Sequence, residues 1–352
     1  MTVASPAFWT GKRVLVTGHT GFKGSWLALR LASLGAVVSG LALDPPTTPS
    51  HFELARVGER VADNRADLRD EPAVRRVVGE ARPELVFHLA AQALVRTGYE
   101  RPVETLDVNV LGTARLFDAL RQAPPAAVVA VTSDKVYVND DLGRAFREDD
   151  ALGGADPYSG SKSAAEMIVR LYRDSFGLPI VAARAGNVVG GGDFAPDRLL
   201  PDVGRALAAG APLALRRPQA TRPWSHVLDI VEGYILYAEA VAQRRDGLPD
   251  ALNFGPAPGA ESLTVLETAT LFAEVLGASL DWRLDPAPFA EKTQLAIESS
   301  LARACLGWSE LRPGHAGVRA AADWHRAYVA GADLAALSAS LAADAAGKAA
   351  AA

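Results

Sequence analysis

Tyr158 and Lys162 lie four residues apart in the pattern Y-x-x-x-K. Four residues is about one helical turn, so both side chains emerge on one helix face. An ammonium group beside a phenol stabilises the phenolate and lowers the tyrosine pKa from its usual value of about 10. The pair predicts a general base that accepts a hydroxyl proton at neutral pH, with a surface pair of the same spacing as the alternative.

A second set of polar residues lies at the end of the fifth predicted strand: Thr132, Ser133, Asp134 and Lys135. Ligands of doubly wound sheets bind beyond the carboxyl ends of the strands, where these hydroxyl, carboxylate and amine groups would meet. Ser133 can share a hydrogen bond with Tyr158, and Asp134 and Lys135 are a candidate acid and base. The alternative is an exposed charged loop.

Three glycines, Gly18, Gly21 and Gly24, have the spacing G-x-x-G-x-x-G between an apolar run and a predicted helix. Glycine permits a sharp turn and lets backbone N–H groups approach a pyrophosphate, which the helix N-terminus also favours. The turn predicts a dinucleotide site, with a helix-capping turn as the alternative. The residues between the glycines are assigned to the same site: His19, Thr20, Phe22 and Lys23.

Two carboxylates are placed to bind the adenosine part of a dinucleotide. Asp44 follows the second predicted strand, where an acid binds the ribose hydroxyls and repels a 2′-phosphate. It favours NAD over NADP, unless it caps a turn in its proline-rich loop. Asp67 follows a weak third strand and can accept from the adenine amino group; a helix cap by Asp67 or Asp70 is the alternative.

Apolar runs alternate with helical stretches in the first half of the chain. Near-continuous apolar runs are typical of parallel strands covered on both faces, and the alternation predicts a doubly wound, Rossmann-type α/β sheet. The predicted strands are 13–17, 36–43, 84–90, 127–132 and 179–185, and the main predicted helices are 22–34, 103–121 and 158–176.

The amino-acid composition of the chain changes after about residue 186, where glycine and proline become frequent. We predict an NAD-binding domain at 8–186, to which later segments can return, and a smaller mixed substrate lobe at 187–334. The alanine-rich end, 335–352, is a helix or a disordered tail, and composition does not decide between them.

Composition excludes several function classes. The net charge of -5 argues against a broad basic surface for nucleic acid. The single cysteine, Cys305, fits a reducing cytoplasm, and no run approaches the roughly 20 apolar residues of a membrane span. The start of the chain is not a signal peptide, and the six histidines show no metal-ligand spacing. We expect a cytoplasmic protein without metal.

Several further motifs occur in order along the chain: H-L-A-A-Q at 88–92, D-P-Y-S-G-S-K at 156–162, R-A-G-N-V at 184–188, G-G-G-D-F at 190–194 and R-P-W-S-H-V at 222–227. With the glycine turn and T-S-D-K they resemble the extended short-chain dehydrogenases that act on nucleotide sugars. The versions G-H-T-G-F-K-G, T-S-D-K and L-G-G-x-D-P-Y-S are similar to those of CDP-glucose 4,6-dehydratases in particular. The resemblance covers roughly residues 8–330.

The resemblance implies a lyase that holds NAD and makes a 4-keto-6-deoxy sugar nucleotide from a CDP-hexose or a related substrate. Tyr158 would take the C4 hydroxyl proton while hydride passes from C4 to NAD; a base then removes the C5 proton, an acid assists loss of the C6 hydroxyl, and hydride returns to C6. Asp134 is implied as the acid. Lys135 stands where many relatives carry glutamate, and we hypothesise that it handles the C5 proton in its neutral form.

The resemblance also implies two sets of contacts. The further cofactor contacts are Leu68, Leu89, Ala90, Ala91, Asn109, Thr132, Tyr158 and Lys162. The substrate contacts are Gln92, Arg96, Ser133, Asn187, Arg198, Leu199, Arg216 and Arg222. Guanidinium groups suit bidentate phosphate contacts, although these arginines are alternatively ordinary surface residues.

Two other functions stay open. A 4-epimerase or keto-sugar reductase on the same scaffold needs no acid–base pair at C5 and C6, so Asp134 and Lys135 favour dehydration. A non-catalytic NAD sensor does not need both Tyr158 and Lys162, so the presence of the pair counts against this function. The resemblance further implies a homodimer through the apolar faces of helices 103–121 and 158–176.

Overall fold

The computed structural model describes residues 2–139, 144–260, 262–285 and 295–344. The strands in these ranges are β1 (Arg13–Thr17), β2 (Val37–Ala42), β3 (Ala62–Arg65), β4 (Leu85–His88), β5 (Ala127–Val131), β6 (Ile180–Ala185), β7 (Val188–Val189), β8 (Leu213–Leu215), β9 (Ser225–His226), β10 (Ala251–Phe254) and β11 (Trp282–Leu284). The helices are α1 (Pro6–Trp9), α2 (Phe22–Ser33), α3 (His51–Leu54), α4 (Glu71–Ala81), α5 (Val95–Glu100), α6 (Pro102–Leu106), α7 (Gly112–Leu120), α8 (Pro157–Phe176), α9 (Leu199–Ala209), α10 (Val227–Ala242), α11 (Val265–Val275), α12 (Ser300–Leu306), α13 (His315–Val329) and α14 (Leu334–Ala343).

Seven of the described strands form one sheet in the order β3-β2-β1-β4-β5-β6-β10, and every neighbouring pair is parallel. Every residue of β4, β5 and β6 is buried, as expected for parallel strands between two helical layers. Helices α2 and α10 pack on one face, and α4, α7 and α8 pack on the other. This architecture confirms the predicted doubly wound α/β fold.

The strand order reverses between β1 and β4, which is the point where open α/β sheets bind ligands beyond the strand ends. The predicted helix 103–121 consists of α6 and α7, joined by a π-helical turn at Asp107–Leu111. Such turns often occur at functional sites. This one carries the buried Asn109 toward the switch point.

Segments from the second half of the chain return to the sheet. Strand β10 extends the edge beside β6, and α10 is buried along nearly its whole length. Helix α14 packs against α2, where the Ala342 carbonyl accepts a hydrogen bond from Arg30 at 3.3 Å. Residues 345–352 of the predicted tail lie outside the described residues.

A smaller apolar cluster joins α9, α11 and α13 to β8, and the exposed strand β11 pairs with β8. It borders the segment that follows β6 and β7, so a pocket forms between this lobe and the sheet. None of the helices in the described ranges is long and apolar enough to cross a bilayer.

Candidate active site

The turn after β1 is tightly packed at two of its three glycines. Gly18 has a left-handed backbone with φ +76°, and a Cβ there would lie 2.7 Å from the Ala90 nitrogen. A Cβ at Gly24 would lie 2.0 Å from the Gly18 carbonyl oxygen. Helix α2 then begins after Gly21, and no side chain caps its first turn. Its free N–H groups and dipole suit an anion, so the turn fits the pyrophosphate of a dinucleotide.

The side chains of His19 and Thr20 fasten this turn to the sheet. The buried His19 ring has Nε2 2.8 Å from Oδ1 of Asp63, and it fills the space beside Gly40, where a Cβ would lie 2.3 Å from the ring. Thr20 donates a hydrogen bond to the Leu43 carbonyl at 2.9 Å. Both side chains point inward, which leaves the backbone of these two residues to the cofactor.

The two predicted adenosine-binding carboxylates lie at the ends of β2 and β3. The Asp44 side chain is 92% exposed, and its Oδ1 lies 3.2 Å from Nη1 of Arg65. Asp67 is held by Arg69 at 2.7 Å. The N-cap of α4 is Asp70, so the helix cap that was one alternative for Asp67 belongs to its neighbour.

The segment after β4 is fixed beside the glycine turn. The N–H groups of Leu89 and Ala90 both donate to the Thr17 hydroxyl, at 3.2 Å and 3.1 Å. Ala91 continues this backbone and is partly buried, whereas Leu68 is buried against the start of α7.

Asn109 ties the π-turn to this segment and to α8. Its Oδ1 accepts from the Gln92 N–H at 2.8 Å, and its Nδ2 donates to the Ser161 hydroxyl at 2.8 Å. The Gln92 side chain donates to Thr105 at 3.0 Å and accepts from the Leu94 N–H at 2.5 Å. Both residues therefore stabilise the framework, and Gln92 is not among the residues that line the pocket described below.

Tyr158 and Lys162 lie one turn apart near the start of α8, with exposures of only 8% and 7%. The Lys162 ammonium donates to the Val131 carbonyl at the end of β5, at 3.2 Å. The Thr132 hydroxyl turns the other way and donates to Glu166 on α8 at 2.6 Å. The end of β5 and the first turns of α8 thus form one buried polar cluster.

Ser133 and Asp134 complete this cluster. The Ser133 hydroxyl donates to Oδ1 of Asp134 at 3.1 Å and accepts from the N–H of Lys135 at 3.2 Å, which starts a 3₁₀ turn. The other carboxylate oxygen, Oδ2, is buried and has no hydrogen-bond partner among the described residues. Lys135 follows in the same turn and is partly buried. Asp134 therefore has an uncommitted acidic oxygen at the carboxyl edge of the sheet.

A pocket of about 480 Å³ lies between the residues that follow β6 and the smaller lobe, and the residues of the polar cluster described above are not among those that line it. Its lining joins the predicted substrate residues other than Gln92 and Ser133: Arg96, Asn187, Arg198, Leu199, Arg216 and Arg222. Arg205 and Arg217 add to the positive charge. Because guanidinium groups bind phosphate through paired hydrogen bonds, the pocket suits a diphosphate.

Residues 14–255 match the NAD dependent epimerase/dehydratase family. The chain belongs to this family. Membership confirms the resemblance that the motifs predict and confirms NAD as the cofactor. The tight glycine turn and the uncapped start of α2 fit that dinucleotide.

Three relatives on this family's scaffold have different activities. The chain is 40% identical over 338 residues to CDP-glucose 4,6-dehydratase of Salmonella typhimurium, covering 93% of this chain and 94% of the relative. It is 31% identical over 330 residues to a dTDP-4-dehydro-6-deoxy-D-allose reductase of a Streptomyces species, covering 90% and 97%. The structure of Thermus thermophilus UDP-glucose 4-epimerase in complex with NAD superposes with a TM-score of 0.79, 28% identity and coverage of 89% and 99%.

The electrostatics of the family's tyrosine–lysine pair differ from the sequence expectation. Burial raises the pKa of Tyr158, and this effect outweighs the charge of Arg198 and a hydrogen bond with Ser133, which both lower it. Burial lowers the pKa of Lys162 to about 7, and the charge of Lys23 acts in the same direction. The direction of the Tyr158 pKa shift is therefore opposite to the one that the sequence predicts.

Two residues near the site were not predicted from the sequence. Asp197 has a left-handed backbone with φ 57°, and its carboxylate lies 3.1 Å from Arg96 and 3.9 Å from Arg216. Tyr234 is fully buried in α10, and its hydroxyl has no hydrogen-bond partner among the described residues. The sequence does not single out Tyr234, because α10 also buries Asp229 and Tyr237. Within the described ranges, no group of three or more His, Cys, Asp or Glu is placed to hold a metal ion.

Replacement of Arg198 by Met is expected to raise the pKa of Tyr158 further, because the Arg198 charge opposes the effect of burial. A base that must lose its proton then works only at higher pH, so the acid limb of the kcat/KM profile moves to higher pH. The control Arg205→Met removes another pocket arginine that does not act on Tyr158, and it should leave the limb in place. An unmoved limb in Arg198→Met contradicts the assignment.

Proposed function

We propose that the protein is an NAD-dependent nucleotide-sugar 4,6-dehydratase whose substrate is CDP-glucose or a related NDP-hexose. The observation that carries the proposal is the uncommitted Oδ2 of Asp134, which is buried close enough to Tyr158 for its charge to act on that residue. Oxidation or epimerisation at C4 needs only the tyrosine–lysine pair, whereas water loss across C5 and C6 needs a further acid and base. The 40% identity to a CDP-glucose 4,6-dehydratase supports the same reaction.

The cofactor would lie along the switch point of the sheet. The backbone at 18–24 would hold its pyrophosphate, Asp44 its adenosine ribose, and Lys162 the part nearest the reacting sugar. When bound, NAD supplies a hydride acceptor for C4 and, once reduced, the hydride donor for C6. The chain's own residues position the hexose and move its protons.

Tyr158 would take the proton of the C4 hydroxyl as the phenolate, a form that the charge of Arg198 and the hydrogen bond with Ser133 favour against the effect of burial. The resulting 4-ketone acidifies the C5 proton. Asp134 would then protonate the departing C6 oxygen through Oδ2, which no other described group engages. Lys135, in its neutral form, would accept the C5 proton directly or through water. Burial of the cluster keeps bulk water from the unsaturated sugar.

The diphosphate would lie in the arginine-lined pocket, with Asn187 and Arg222 as its main contacts. Asp197 now lies between Arg96 and Arg216, so an entering diphosphate competes with its carboxylate. The apolar Leu199 marks the end of the pocket that suits the base.

The proposal is tested with a panel of CDP-, dTDP-, UDP- and GDP-glucose. We expect loss of one water by mass spectrometry and formation of a 4-keto product, most rapidly from CDP-glucose. Inversion at C4 of any substrate without loss of water would instead identify an epimerase.

The Lys135→Met variant tests the second half of the mechanism in the same assay. In deuterated water we expect the variant to lose both turnover and deuterium incorporation at C5, because no neutral amine remains to accept that proton. Lys12→Met is the matched control, since Lys12 lies before β1, where its ammonium contacts Glu84 at 2.9 Å and the Phe8 ring at 5.8 Å. Unchanged turnover and incorporation in Lys135→Met would remove this residue from the mechanism.

We further propose that the chain forms a homodimer, in the cytoplasm that its single cysteine suggests. Helices α6 and α8, and the π-helical turn that follows α6, carry large apolar side chains that face solvent: Val103, Leu106, Leu111, Met167, Leu171 and Phe176. Exposed apolar patches of this size mark interfaces, and a two-fold axis would pair the patch with itself.

A glutamate in this patch is expected to separate the dimer, because burial of an unpaired charge is unfavourable. Light scattering should give the dimer mass for the parent and the monomer mass for Met167→Glu. Val329→Glu is the control, since Val329 is 72% exposed on α13, outside the patch. A parent that is monomeric, or a dimeric Met167→Glu variant, contradicts this interface.

A further inference from the structure

The apolar end of the substrate pocket is formed by two segments of the smaller lobe. The first turn of α9 contributes Leu199, Leu200 and Pro201, and the segment 212–215, which includes β8, packs against this helix. A flat nucleobase suits such a cleft, because its two faces can be buried against apolar side chains. The base of a bound nucleotide would therefore lie beside α9, with its diphosphate among the arginines.

Asp202 places a carboxylate at this end of the pocket. It follows Leu199 by three residues, so the two side chains emerge on the same face of α9. Asp202 lines the pocket, and 37% of its side chain is exposed. Its Oδ1 accepts a hydrogen bond from Arg205, whereas its Oδ2 has no hydrogen-bond partner among the described residues. One acceptor oxygen is therefore left for a ligand.

Arg205 fixes the orientation of this carboxylate. Its guanidinium donates to the carbonyls of Phe194 and Ala195, at 3.0 Å and 3.1 Å, as well as to Asp202. Burial raises the pKa of the Asp202 carboxyl, although the hydrogen bond and the charge of Arg205 oppose this effect. The carboxylate is therefore incompletely hydrated, and a hydrogen-bond donor on the ligand would stabilise it.

The pyrimidine bases differ at a position that such a carboxylate can distinguish. Cytosine carries an exocyclic amino group that donates hydrogen bonds, whereas uracil and thymine carry the carbonyl oxygen O4, which only accepts them. An ionised carboxylate is an acceptor without a donor, so it attracts the amino group and repels O4. The ribose and diphosphate provide no such distinction, because cytidine and uridine nucleotides share them.

We propose that Asp202 selects cytidine nucleotides by accepting a hydrogen bond from the cytosine amino group through Oδ2, and that Arg205 is its positioning residue. In a uridine or thymidine nucleotide, O4 would lie against this carboxylate, and the missing hydrogen bond and the repulsion both weaken binding. The inference deepens the proposed function and rests on the pocket that is assigned there to the nucleotide sugar.

CDP and UDP test this inference, because they differ only in the base. Each nucleotide is titrated calorimetrically into the NAD-loaded full chain and into three variants: Asp202→Asn, Asp202→Ser and Asp285→Asn. Asp285 is the matched control, since it is a second carboxylate that lines the pocket but is exposed. Replacement of Asp202 should leave the fold intact, because two main-chain carbonyls still hold Arg205.

We expect the parent to bind CDP about tenfold or more tightly than UDP, as one matched polar contact to a base provides. Asp202→Asn should lower this preference about tenfold, mainly through tighter binding of UDP, because the new amide can donate to O4. Asp202→Ser should lower it mainly through weaker binding of CDP, because the shorter side chain does not reach the amino group. Asp285→Asn should keep the parent preference.

Three results would overturn the inference: a parent without preference for CDP, an unchanged preference in both Asp202 variants, or an equal loss of preference in Asp285→Asn. The readout is equilibrium binding of nucleotides that cannot react. Failure of this inference is therefore distinct from failure of the proposed function, which would appear as absence of water loss from every NDP-hexose.

Discussion

Desolvation of a few polar groups at the carboxyl edge of the sheet is the constraint on which the rest of the site depends. Tyr158, Lys162 and Asp134 are all less than a tenth exposed, and one oxygen of Asp134 has no partner in the described structure. A buried polar group without a partner costs about 1–3 kcal/mol, so this arrangement opposes stability and indicates a reactive site. The surrounding fold offsets that cost.

The offset comes from packing at the switch point. Gly18 and Gly24 let the phosphate-binding turn touch the end of β4, and Asn109 joins the π-turn, the loop after β4 and α8. The buried Glu166–Arg184 pair fixes the far side of α8, with Nε of Arg184 2.8 Å from Glu166. These contacts hold the reacting groups without using their reactive atoms.

Local patterns were sufficient to predict where groups that are close in the sequence lie in the structure. The glycine turn, Tyr158 with Lys162, and the apolar strands follow from periodicity and from backbone geometry. Contacts between distant segments were not predictable: Asp63 with His19, Asp197 with Arg96, and Tyr234 beneath the active site.

The direction of the Tyr158 pKa shift was also missed, because desolvation depends on the helices that cover the site rather than on the spacing to Lys162. Spacing along the sequence also did not predict that three side chains turn inward: those of Gln92, His19 and Thr132. Each is set by a partner on another element.

The central claim is that one hydride leaves C4 and returns to C6 of the same hexose while this buried cluster moves the protons. It is tested most directly with CDP-glucose deuterated at C4, mixed with unlabelled CDP-glucose and followed by mass spectrometry and NMR. The account predicts that deuterium appears at C6 of the molecule that carried it. Deuterium that stays at C4, passes to solvent or crosses to unlabelled molecules would contradict it.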